Sequence, residues 1–498
     1  MSAGSTAARV AALTHRDADW AGLDVLVTGL GVSGLAAAAA LLERGAHVTV
    51  VDAGEPAEGS AMAERARIVE VLGGTILHGP RATERLPRPA PVLVVTSPGW
   101  RPDQPLLTAA AEAGVPVWGE VELAWRMRPR EGAAPWLTVT GTNGKTTTVQ
   151  MLASILRAAG LRACSAGNVG TAVLDAVLDP VPYDVIAVEL SSFQLHWSQS
   201  IAPRASVCLN IAPDHLDWHG SLDAYARAKG KVYANTEVAC VYNAADPATR
   251  RLVEDADVRE GCRAVAFTLG TPAPSEVGVV DDVLADRAFV ADRATHAAEL
   301  ATLADLGAGP DAPPPAPHLV ANALAAAALA RAHGVPASAV RSGLRAFTPE
   351  AHRIADLGTV AGVRWIDDSK ATNPHAAGAS LAAHEHVVWV AGGLLKGADV
   401  EDLVAGAAAR LRGVVLLGRD RARIAEALAR HAPDVPVVDV DRTDTGAMDT
   451  VVDRALSLAR EGDVVLLAPA AASMDMFTDY GARGDAFAQA VRRLTTRE

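Results

Sequence analysis

The sequence predicts an α/β protein of three domains, and three observations support this. The chain has 498 residues, which is too long for a single hydrophobic core. Two apolar runs each lead into a glycine-rich turn and then a helix-forming segment, at residues 24–45 and 136–159. The last third repeats apolar runs and amphipathic helical segments at regular spacing, which is typical of a doubly wound parallel sheet.

The first domain is predicted from an apolar run at residues 24–29 that ends in the glycine pattern Gly29–Gly34 and is followed by Asp52. A G-x-G-x-x-G turn after a strand, with an acidic residue about twenty positions later, is typical of a Rossmann-like sheet. Backbone amides of such a turn bind a diphosphate, and the carboxylate binds hydroxyls. A UDP-sugar fits this pattern as well as a nicotinamide dinucleotide does, so both ligands remain open.

Two more strands are predicted in this domain, at residues 75–77 and 92–96, and the second opens onto Ser97, Pro98 and Gly99. A polar run rich in proline and glycine follows at residues 128–132. Such runs mark linkers, so we place the first domain at residues 1–131.

The second domain is predicted to begin with a phosphate-binding loop, TVTGTNGKTTT at residues 138–148. A strand, a glycine loop and a helix in that order cradle an anion, with Lys145 reaching the β- and γ-phosphates and Thr146 holding Mg²⁺. The loop is shorter than the usual GxxxxGK[ST], because Val139 occupies the first glycine position. A chance turn before a helix is the alternative interpretation.

Polar residues follow two further strands of this domain. A strand at 183–188 ends in Glu189, and a carboxylate there is a common Mg²⁺ partner, although a polar residue can also simply end a strand. A strand at 206–211 leads to His215 between two aspartates, and a turn at Gly167 presents Asn168. A helix is predicted over 222–233, and residues 263–317 read as variable loops and small antiparallel strands. We place this domain at residues 132–348.

Lysine is scarce in this chain. Lys and Arg total 45, and only five of these residues are lysines: Lys145, Lys229, Lys231, Lys370 and Lys396. A lysine amine can be deprotonated and modified, whereas a guanidinium cannot. The five lysines therefore mark candidate sites, against the alternative that they are ordinary surface cations.

The third domain, residues 349–498, is predicted to contain strands at 363–367, 387–391, 413–418, 435–440 and 463–467. Ligands of a doubly wound sheet bind beyond the carboxyl ends of its strands. Those ends carry Lys370 and Lys396, which suit an anionic substrate.

Composition excludes several classes of protein. The net charge of −13 argues against nucleic-acid binding. The four cysteines form no CxxC pair and read as buried thiols of a reducing compartment, with no zinc site. No apolar run is long enough to cross a bilayer and the first 19 residues contain no signal-peptide core, so we expect a cytoplasmic protein.

Taken together, GTNGKTT, ELSSFQL, NIAPDHLDWHG, YARAK, HRI and DDSKATN resemble the Mur ligase family, in order from about Val25 to Ala488. DSKATN and PAAAS in the third domain are most similar to the member that joins D-glutamate to UDP-N-acetylmuramoyl-L-alanine. The resemblance implies an ATP-dependent peptide ligase of cell-wall synthesis, and hence of cell shape and division. It implies ATP as co-substrate, two Mg²⁺ ions, those two substrates and a monomer.

The resemblance also implies roles for individual residues. Lys145, Glu189, His215 and Lys229 would be catalytic, with Thr146 and Glu189 on the first Mg²⁺ and His215 with a carbamylated Lys229 on the second. ATP would be bound by Gly141, Thr142, Asn143, Gly144, Lys145, Thr146, Thr147, Asn322, Arg353 and Asp368. The UDP substrate would be bound by Val32, Ser33, Asp52, Ser97, Pro98, Gly99 and Asn168. D-Glutamate would be bound by Lys370, Thr372, Lys396, Ser473 and Tyr480.

Three departures from the family pattern are visible. The turn after Asp52 contains no basic residue, Tyr480 replaces a phenylalanine, and Leu319 follows His318 where the family often has asparagine. Other functions remain open: a different Mur-type or folylpolyglutamate-type ligase, a nicotinamide-dependent oxidoreductase built on Gly29–Gly34, or a non-catalytic nucleotide switch. The oxidoreductase leaves the phosphate loop unexplained. A switch does not require Glu189, His215 and Lys229 together.

Overall fold

The structure is a computed structural model that describes residues 8–168, 170–307, 315–348, 352–442, 444 and 446–495. These residues form three β-sheets in two compact units. One unit, with two of the sheets, contains the residues up to Ile211 and Ala226–Phe347; the other, with the third sheet, contains Ala212–Tyr225 and the residues from Thr348 onward.

The first sheet is Rossmann-like, as predicted. Its strands are β1 (Asp24–Thr28), β2 (His47–Asp52), β3 (Thr75–His78), β4 (Leu93–Thr96) and β5 (Val117–Gly119). They are connected by helices α1 (Val32–Leu42), α2 (Ala61–Val71), α3 (Pro105–Glu112) and α4 (Glu120–Arg126) and by a 3-10 helix (Pro80–Thr83). All five strands are parallel, in the order β3-β2-β1-β4-β5. The strand order reverses at β1, so its carboxyl end is the expected ligand site.

The second sheet has nine strands. They are β6 (Trp136–Thr140), β7 (Ala163–Gly167), β8 (Val185–Glu189), β9 (Ala205–Cys208), β10 (Ala239–Asn243), β11 (Arg263–Phe267), β12 (Glu276–Val280), β13 (Val283–Asp286) and β14 (Ala298–Thr302). Their order is β14-β13-β12-β11-β10-β9-β6-β8-β7, and only the β12–β13 and β13–β14 pairs are antiparallel. Strand β6, which leads into the predicted phosphate loop, therefore lies inside a parallel region.

The helices of residues 145–346 follow the same alternation with strands. They are α5 (Lys145–Ala158), α6 (Val173–Val177), α7 (Ser192–His196), α8 (Leu216–His219), α9 (Leu222–Gly230), α10 (Pro247–Glu254), α11 (Pro317–Ala332) and α12 (Ala337–Ala346), with 3-10 helices at Lys231–Tyr233 and Leu303–Leu306. Helix α5 begins directly after the phosphate loop, as expected for an anion cradle.

The third sheet is doubly wound, as predicted. Its strands are β15 (Ala355–Val360), β16 (Val363–Asp367), β17 (Val387–Gly392), β18 (Leu411–Leu417), β19 (Val437–Asp439) and β20 (Val464–Leu467). Its helices are α13 (Pro374–Ala382), α14 (Glu401–Ala407), α15 (Arg421–His431), α16 (Ala447–Leu458) and α17 (Tyr480–Thr495), with a 3-10 helix at Ala408–Arg410. The order is β15-β16-β20-β17-β18-β19, parallel except for the edge strand β15.

Some expectations differ from the structure. Strand β15 was not predicted, because its sequence ADLGTV carries an aspartate and a glycine, which are depleted in strands. The expectation of only loops and antiparallel strands in 263–317 is wrong for β11 and β12, which extend the parallel sheet. The helix predicted over 222–233 ends at Gly230 and continues as a 3-10 turn. Residues 308–314 and the predicted domain boundary at 349 lie outside the described residues.

The core of the second sheet contains an alanine-rich helix. The residues Ala323 to Ala330 of α11 are fully buried, and α11 packs against α5. A helix that is apolar on every side belongs inside a protein core or a membrane. The burial of these residues makes α11 a core helix. Among the described residues no helix is both long and apolar enough to cross a membrane.

Helix α12 approaches α5 so closely that only glycine fits at one position. A Cβ added at Gly343 would lie 2.3 Å from the Cα atom and 2.6 Å from the amide nitrogen of Ile155. The Gly343 carbonyl accepts a hydrogen bond from Ser154 Oγ at 2.8 Å. This contact fixes the distance between α12 and the helix that follows the phosphate loop.

We expect Gly343→Ala to lower the thermal unfolding midpoint, because the added methyl group meets backbone and overpacking costs about 1–3 kcal/mol. The matched control is Gly406→Ala in α14, where a Cβ would meet nothing within 4 Å. That control should leave the midpoint unchanged or raise it slightly. A midpoint for Gly343→Ala equal to that of the control would contradict the close approach.

Candidate functional site

The phosphate loop lies at the carboxyl end of β6 and needs glycine at two positions. Gly141 has φ +148° and Gly144 has φ +85°, conformations that L side chains rarely adopt. A Cβ at Gly144 would lie 2.4 Å from Oδ1 of Asn322, which is buried in α11. Asn322, predicted to contact the nucleotide, therefore borders the loop.

Asn210, which follows β9, holds the loop from the neighbouring strand. Its carbonyl accepts a hydrogen bond from Thr142 N at 3.0 Å, and its Oδ1 accepts one from Asn143 N at 2.9 Å. Its Nδ2 donates to the Asn143 carbonyl at 3.2 Å. These bonds fix the backbone of a loop that is too short to fold on itself. The sequence reasoning missed Asn210, because an asparagine after a strand carries no distinctive spacing.

Lys145 and Lys229 meet at this loop. Lys145 Nζ donates to the carbonyls of Gly141 at 3.0 Å and Thr142 at 2.9 Å. Lys229 is only 2% exposed, and its Nζ donates to the same Gly141 carbonyl at 2.8 Å. The exposed Lys231 instead donates to the carbonyl of His196. The structure thus separates the two neighbouring lysines and brings only Lys229 to the loop.

Glu189 ends β8, directly beside β6 in the sheet. It is 1% exposed, and its Oε1 accepts a hydrogen bond from Asn168 Nδ2 at 3.3 Å. Its Oε2 is buried and has no hydrogen-bond partner in the protein. A buried carboxylate oxygen without a partner is costly unless a ligand satisfies it. The Glu189 carboxylate therefore suits the role of a Mg²⁺ ligand.

The hydroxyls at the start of α5 are also buried. Thr146 is 5% exposed and Thr147 is 1% exposed, and Thr147 Oγ1 has no protein partner. Among the described residues, no three His, Cys, Asp or Glu side chains lie together as a complete metal site. Mg²⁺ in phosphoryl-transfer enzymes takes only one or two carboxylates, and phosphate oxygens and water supply the rest, so this donor set suits it.

His215 belongs to the unit of the third sheet. It precedes α8 with φ +51°, and its Nε2 lies 3.6 Å from Oδ2 of Asp214. A left-handed conformation is uncommon for a residue other than glycine and clusters at functional sites. The structure does not bring His215 together with Glu189 or Lys229 within one unit.

In the first domain, Asp52 orders the glycine turn. Its Oδ2 accepts a hydrogen bond from Leu30 N at 2.7 Å, and its Oδ1 accepts one from Gly54 N at 2.8 Å. Val32 and Ser33 begin α1, whose first turn has no side-chain cap, so its amides can bind an anion.

The turn that follows β4 faces this glycine turn. Ser97 Oγ is buried without a protein partner and would lie 2.7 Å from a Cβ at Gly29. Pro98 is partly buried and Gly99 is exposed. A diphosphate site at this position is therefore consistent with the structure.

In the third sheet, the segment after β16 brings two predicted nucleotide contacts together. Asp368 is 7% exposed, and burial raises its pKa to about 6, while the positive charge of Arg353 acts in the opposite direction.

Lys370 Nζ lies 5.2 Å from the centre of the Tyr480 ring, a cation–π distance. Two predicted D-glutamate contacts are thereby adjacent, and Thr372 is partly buried nearby in the sequence.

A buried arginine links the segments after β16 and β20. Arg483 is 1% exposed, and it donates to Ser369 Oγ at 2.9 Å, to the Ser369 carbonyl at 2.7 Å and to the Ala471 carbonyl at 3.0 Å. Ser473, predicted to bind D-glutamate, is 3% exposed in the second segment. The sequence reasoning missed Arg483, because nothing distinguishes it from the other arginines.

The segment after β17 is held against the one after β20. A Cβ at Gly393 would lie 2.2 Å from the Ala472 carbonyl, and Leu394 pairs with Ala472 across an isolated β-bridge. Lys396 follows, exposed, with φ +51°. The segments after β16, β17 and β20, which contain predicted D-glutamate residues, thus lie at the same side of the sheet, where these strands have their carboxyl ends.

A third missed residue, Glu120, joins the first two domains. Helix α6 has Ala172 at its N-cap and no side-chain cap of its own, and Glu120 Oε1 accepts a hydrogen bond from Leu174 N at 2.8 Å. Glu120 is 3% exposed, and burial raises its pKa to about 7. It therefore anchors the segment that carries Asn168 to the first domain.

Three family models match this chain. They are described as "Mur ligase MurD-like, N-terminal domain" for residues 23–119, "Mur ligase middle domain" for residues 139–330 and "Mur ligase, glutamate ligase domain" for residues 352–471. These matches cover well over half of the chain and coincide with the three sheets. The chain belongs to the Mur ligase family.

Curated relatives make the comparison more specific. A UDP-N-acetylmuramoylalanine–D-glutamate ligase of Streptomyces avermitilis is 64% identical over 476 residues, which cover 96% of this chain and 99% of the relative. Proteins of the same name from Thermobifida fusca and Mycolicibacterium smegmatis are 60% and 47% identical, each over 95% of this chain, and these matches cover 99% and 97% of the relatives.

Solved structures show the same fold. The UDP-N-acetylmuramate–alanine ligase of Thermotoga maritima gives a TM-score of 0.54 at 19% identity, over 96% of this chain and 100% of that one. A pseudomurein peptide ligase of Methanothermus fervidus gives 0.56 at 17% identity, over 95% and 100%. The predicted three-domain α/β architecture is confirmed.

We expect the pKa of Glu120 to make the stability of the protein depend on pH. The value rises from 4.5 to about 7 on burial, so the folded protein binds an extra proton between these pH values. The free energy of unfolding should therefore fall with rising pH across this window, by at most about 1.4 kcal/mol per pH unit from this group. Glu120→Gln keeps a hydrogen-bond acceptor but cannot titrate. Unfolding midpoints of the variant should depend less on pH than those of the wild type; equal slopes would contradict this assignment.

Proposed function

We infer that this chain is an ATP-dependent ligase that adds D-glutamate to UDP-N-acetylmuramoyl-L-alanine in peptidoglycan precursor synthesis and releases ADP and phosphate. This conclusion rests mainly on the 64% identity to a UDP-N-acetylmuramoylalanine–D-glutamate ligase over nearly the full length of both chains. The match of residues 23–119 to a MurD-like N-terminal domain also favours it over the folylpolyglutamate-type alternative. Family membership decides against the nicotinamide oxidoreductase and the non-catalytic switch.

The reaction begins with activation of the substrate carboxylate. That carboxylate attacks the γ-phosphate of ATP in line, which gives an acyl phosphate and ADP. The amine of D-glutamate then attacks the acyl carbon, and phosphate leaves through a tetrahedral oxyanion. The glycine loop supports this role, since its backbone is fixed by Asn210 and it begins a helix of 14 residues. The Lys145 ammonium would neutralise charge on the transferring phosphoryl group.

The metal sites are part of the proposal. Thr146 and Glu189 would hold one Mg²⁺, and His215 with a carbamylated Lys229 would hold the other. Mg²⁺ in such a site neutralises charge that develops on phosphate oxygens. The partnerless Oε2 of Glu189 supports the first site. The burial of Lys229 supports the carbamate, because a buried amine gains by becoming neutral and can then capture CO₂.

The remaining predicted residues would bind three different ligands. Residues of the phosphate loop, with Thr147, Asn322, Arg353 and Asp368, would bind ATP. Val32, Ser33, Asp52, Ser97, Pro98, Gly99 and Asn168 would bind the UDP substrate. Asp52 would act mainly by shaping the glycine turn, since backbone amides already occupy both of its oxygens. Lys370, Thr372, Lys396, Ser473 and Tyr480 would bind D-glutamate, and the cation–π contact of Lys370 with Tyr480 supports a shared site.

Several further properties are proposed with this function. The domains would span residues 1–131, 132–348 and 349–498. The protein would act as a monomer in the cytoplasm, without nucleic acid, and its product would serve cell-wall growth, cell shape and cell division.

The carbamate proposal predicts a specific pattern of rescue. Lys229→Arg should lose ligase activity, because a guanidinium cannot form a carbamate. Lys229→Ala should also be inactive but should recover partly in acetate, which can supply the missing carboxylate oxygens. The matched control is Lys231→Ala, which should not depend on acetate, since Lys231 is exposed. Full activity of Lys229→Arg would exclude the role.

The substrate assignment predicts amino-acid selectivity. Phosphate release with UDP-N-acetylmuramoyl-L-alanine should require D-glutamate and should be much weaker with L-glutamate, lysine or diaminopimelate. A pocket that places a charged group for one stereoisomer loses about 1–3 kcal/mol or more when that pairing is lost, which corresponds to at least about fivefold in kcat/KM. Equal rates with D- and L-glutamate would contradict the assignment.

A further inference from the structure

Two of the four cysteines lie side by side in the second sheet. In the β10–β11 pairing Cys240 is opposite Ala264, and Cys262 precedes Ala264 by two residues. Side chains two apart on a strand share a face, so Cys262 and Cys240 are diagonal neighbours. Their Sγ atoms are 3.8 Å apart. The expectation of buried thiols is correct for Cys240 but wrong for Cys262, which is partly exposed.

The two thiols have different environments. Cys240 is 2% exposed within the sheet, whereas Cys262 is partly exposed at the end of a turn in which its amide donates to the Arg259 carbonyl. A hydrogen bond from the Cys240 thiol lowers the pKa of Cys262, and the positive charge of Arg263 acts in the same direction. The same pairing, together with burial, raises the pKa of Cys240.

The other two cysteines lack this combination. Burial raises the pKa of Cys208 to about 12, and Cys208 is fully buried. Cys164 is partly exposed like Cys262, but burial raises its pKa as well. Cys262 therefore differs from Cys164 in having an adjacent thiol, since both residues are partly exposed.

We propose that Cys240 and Cys262 form an oxidation site that closes to an intrachain disulfide when the protein meets a hydroperoxide. Cys262 is the attacking thiol and Cys240 the resolving thiol. The site is separate from the ligase reaction, which uses neither side chain. In a reducing compartment the pair remains as two thiols until oxidant is present.

The chemistry balances with one peroxide molecule. The Cys262 thiolate attacks a peroxide oxygen, the O–O bond breaks, and the departing hydroxide takes up a proton to give water and a sulfenic acid. The Cys240 sulfur then attacks the sulfenic sulfur, the S–O bond breaks, and the hydroxyl leaves as water with the Cys240 proton. Two thiols lose two electrons, and peroxide is reduced to two waters.

The local structure allows the sulfur atoms to approach. A disulfide requires about 2.05 Å between them, so the pair must close from 3.8 Å. Cys240 is held within the sheet between β9 and β11. Cys262 lies before the first residue of β11, next to Gly261, which has φ +86°. We therefore expect the turn at residues 259–262, rather than the sheet, to move when the disulfide forms.

The test uses the full-length protein, reduced and then treated with a limited amount of hydrogen peroxide. Remaining thiols are blocked after unfolding, and intact mass and peptide mapping identify the oxidised residues. The wild type should lose two hydrogen atoms and two of its four free thiols, with one cross-linked peptide pair joining Cys240 to Cys262. Cys164→Ser should behave in the same way.

Variants separate the two roles. Cys262→Ser should form no disulfide and should consume thiols at least about tenfold more slowly, because the thiolate is lost. Cys240→Ser should accumulate a sulfenic acid at Cys262 that a dimedone-type probe traps. Cys262→Ser should keep its ligase activity before oxidation, which shows that it is folded. A wild type that oxidises first at Cys164, or that yields no link between Cys240 and Cys262, would overturn the proposal.

Discussion

The proposed phosphate site depends on the Gly141 carbonyl, which accepts hydrogen bonds from the side-chain amines of two lysines. Lys145 Nζ and Lys229 Nζ lie 3.0 Å and 2.8 Å from this oxygen, so the two charges are within about 6 Å of each other. Two like charges at that distance repel by on the order of 3 kcal/mol at an effective dielectric constant of about 20. A bound phosphate lowers this cost, and so does conversion of Lys229 to a carbamate. The position of these two side chains supports the proposal that the loop binds an anion.

Each sheet presents its predicted residues at the carboxyl ends of its strands, but the supporting contacts differ. In the first sheet the carboxylate of Asp52 shapes the turn. In the second, Asn210 and the glycines of the loop do so. In the third, the guanidinium of Arg483 holds two strand-end segments together. The same place in each sheet is thus ordered by a different polar side chain, which supports the proposal that the three loops bind three different ligands.

The sequence was sufficient to predict the three α/β domains, because glycine turns after apolar runs and the spacing of strands are local features. It was also sufficient to predict the strand that leads to the loop with Lys145 and the strand that ends in Glu189, whereas the pairing of these two strands came from the structure. It could not reveal Asn210, Arg483 or Glu120, whose importance comes from contacts with distant residues. The same limit applies to Cys240 and Cys262, which are ordinary in sequence and neighbours only after β10 pairs with β11. The edge strand β15 escaped prediction since its pairing with β16, rather than its composition, makes it a strand.

In the proposed reaction, ATP activates a carboxyl group of the substrate as an acyl phosphate. The most direct measurement labels the carboxylate oxygens of UDP-N-acetylmuramoyl-L-alanine with ¹⁸O and follows the label during turnover with ATP and D-glutamate. Because phosphate leaves with the oxygen through which it was attached, the inorganic phosphate should contain one ¹⁸O atom per turnover. Unlabelled phosphate released together with the amide product would contradict the claim.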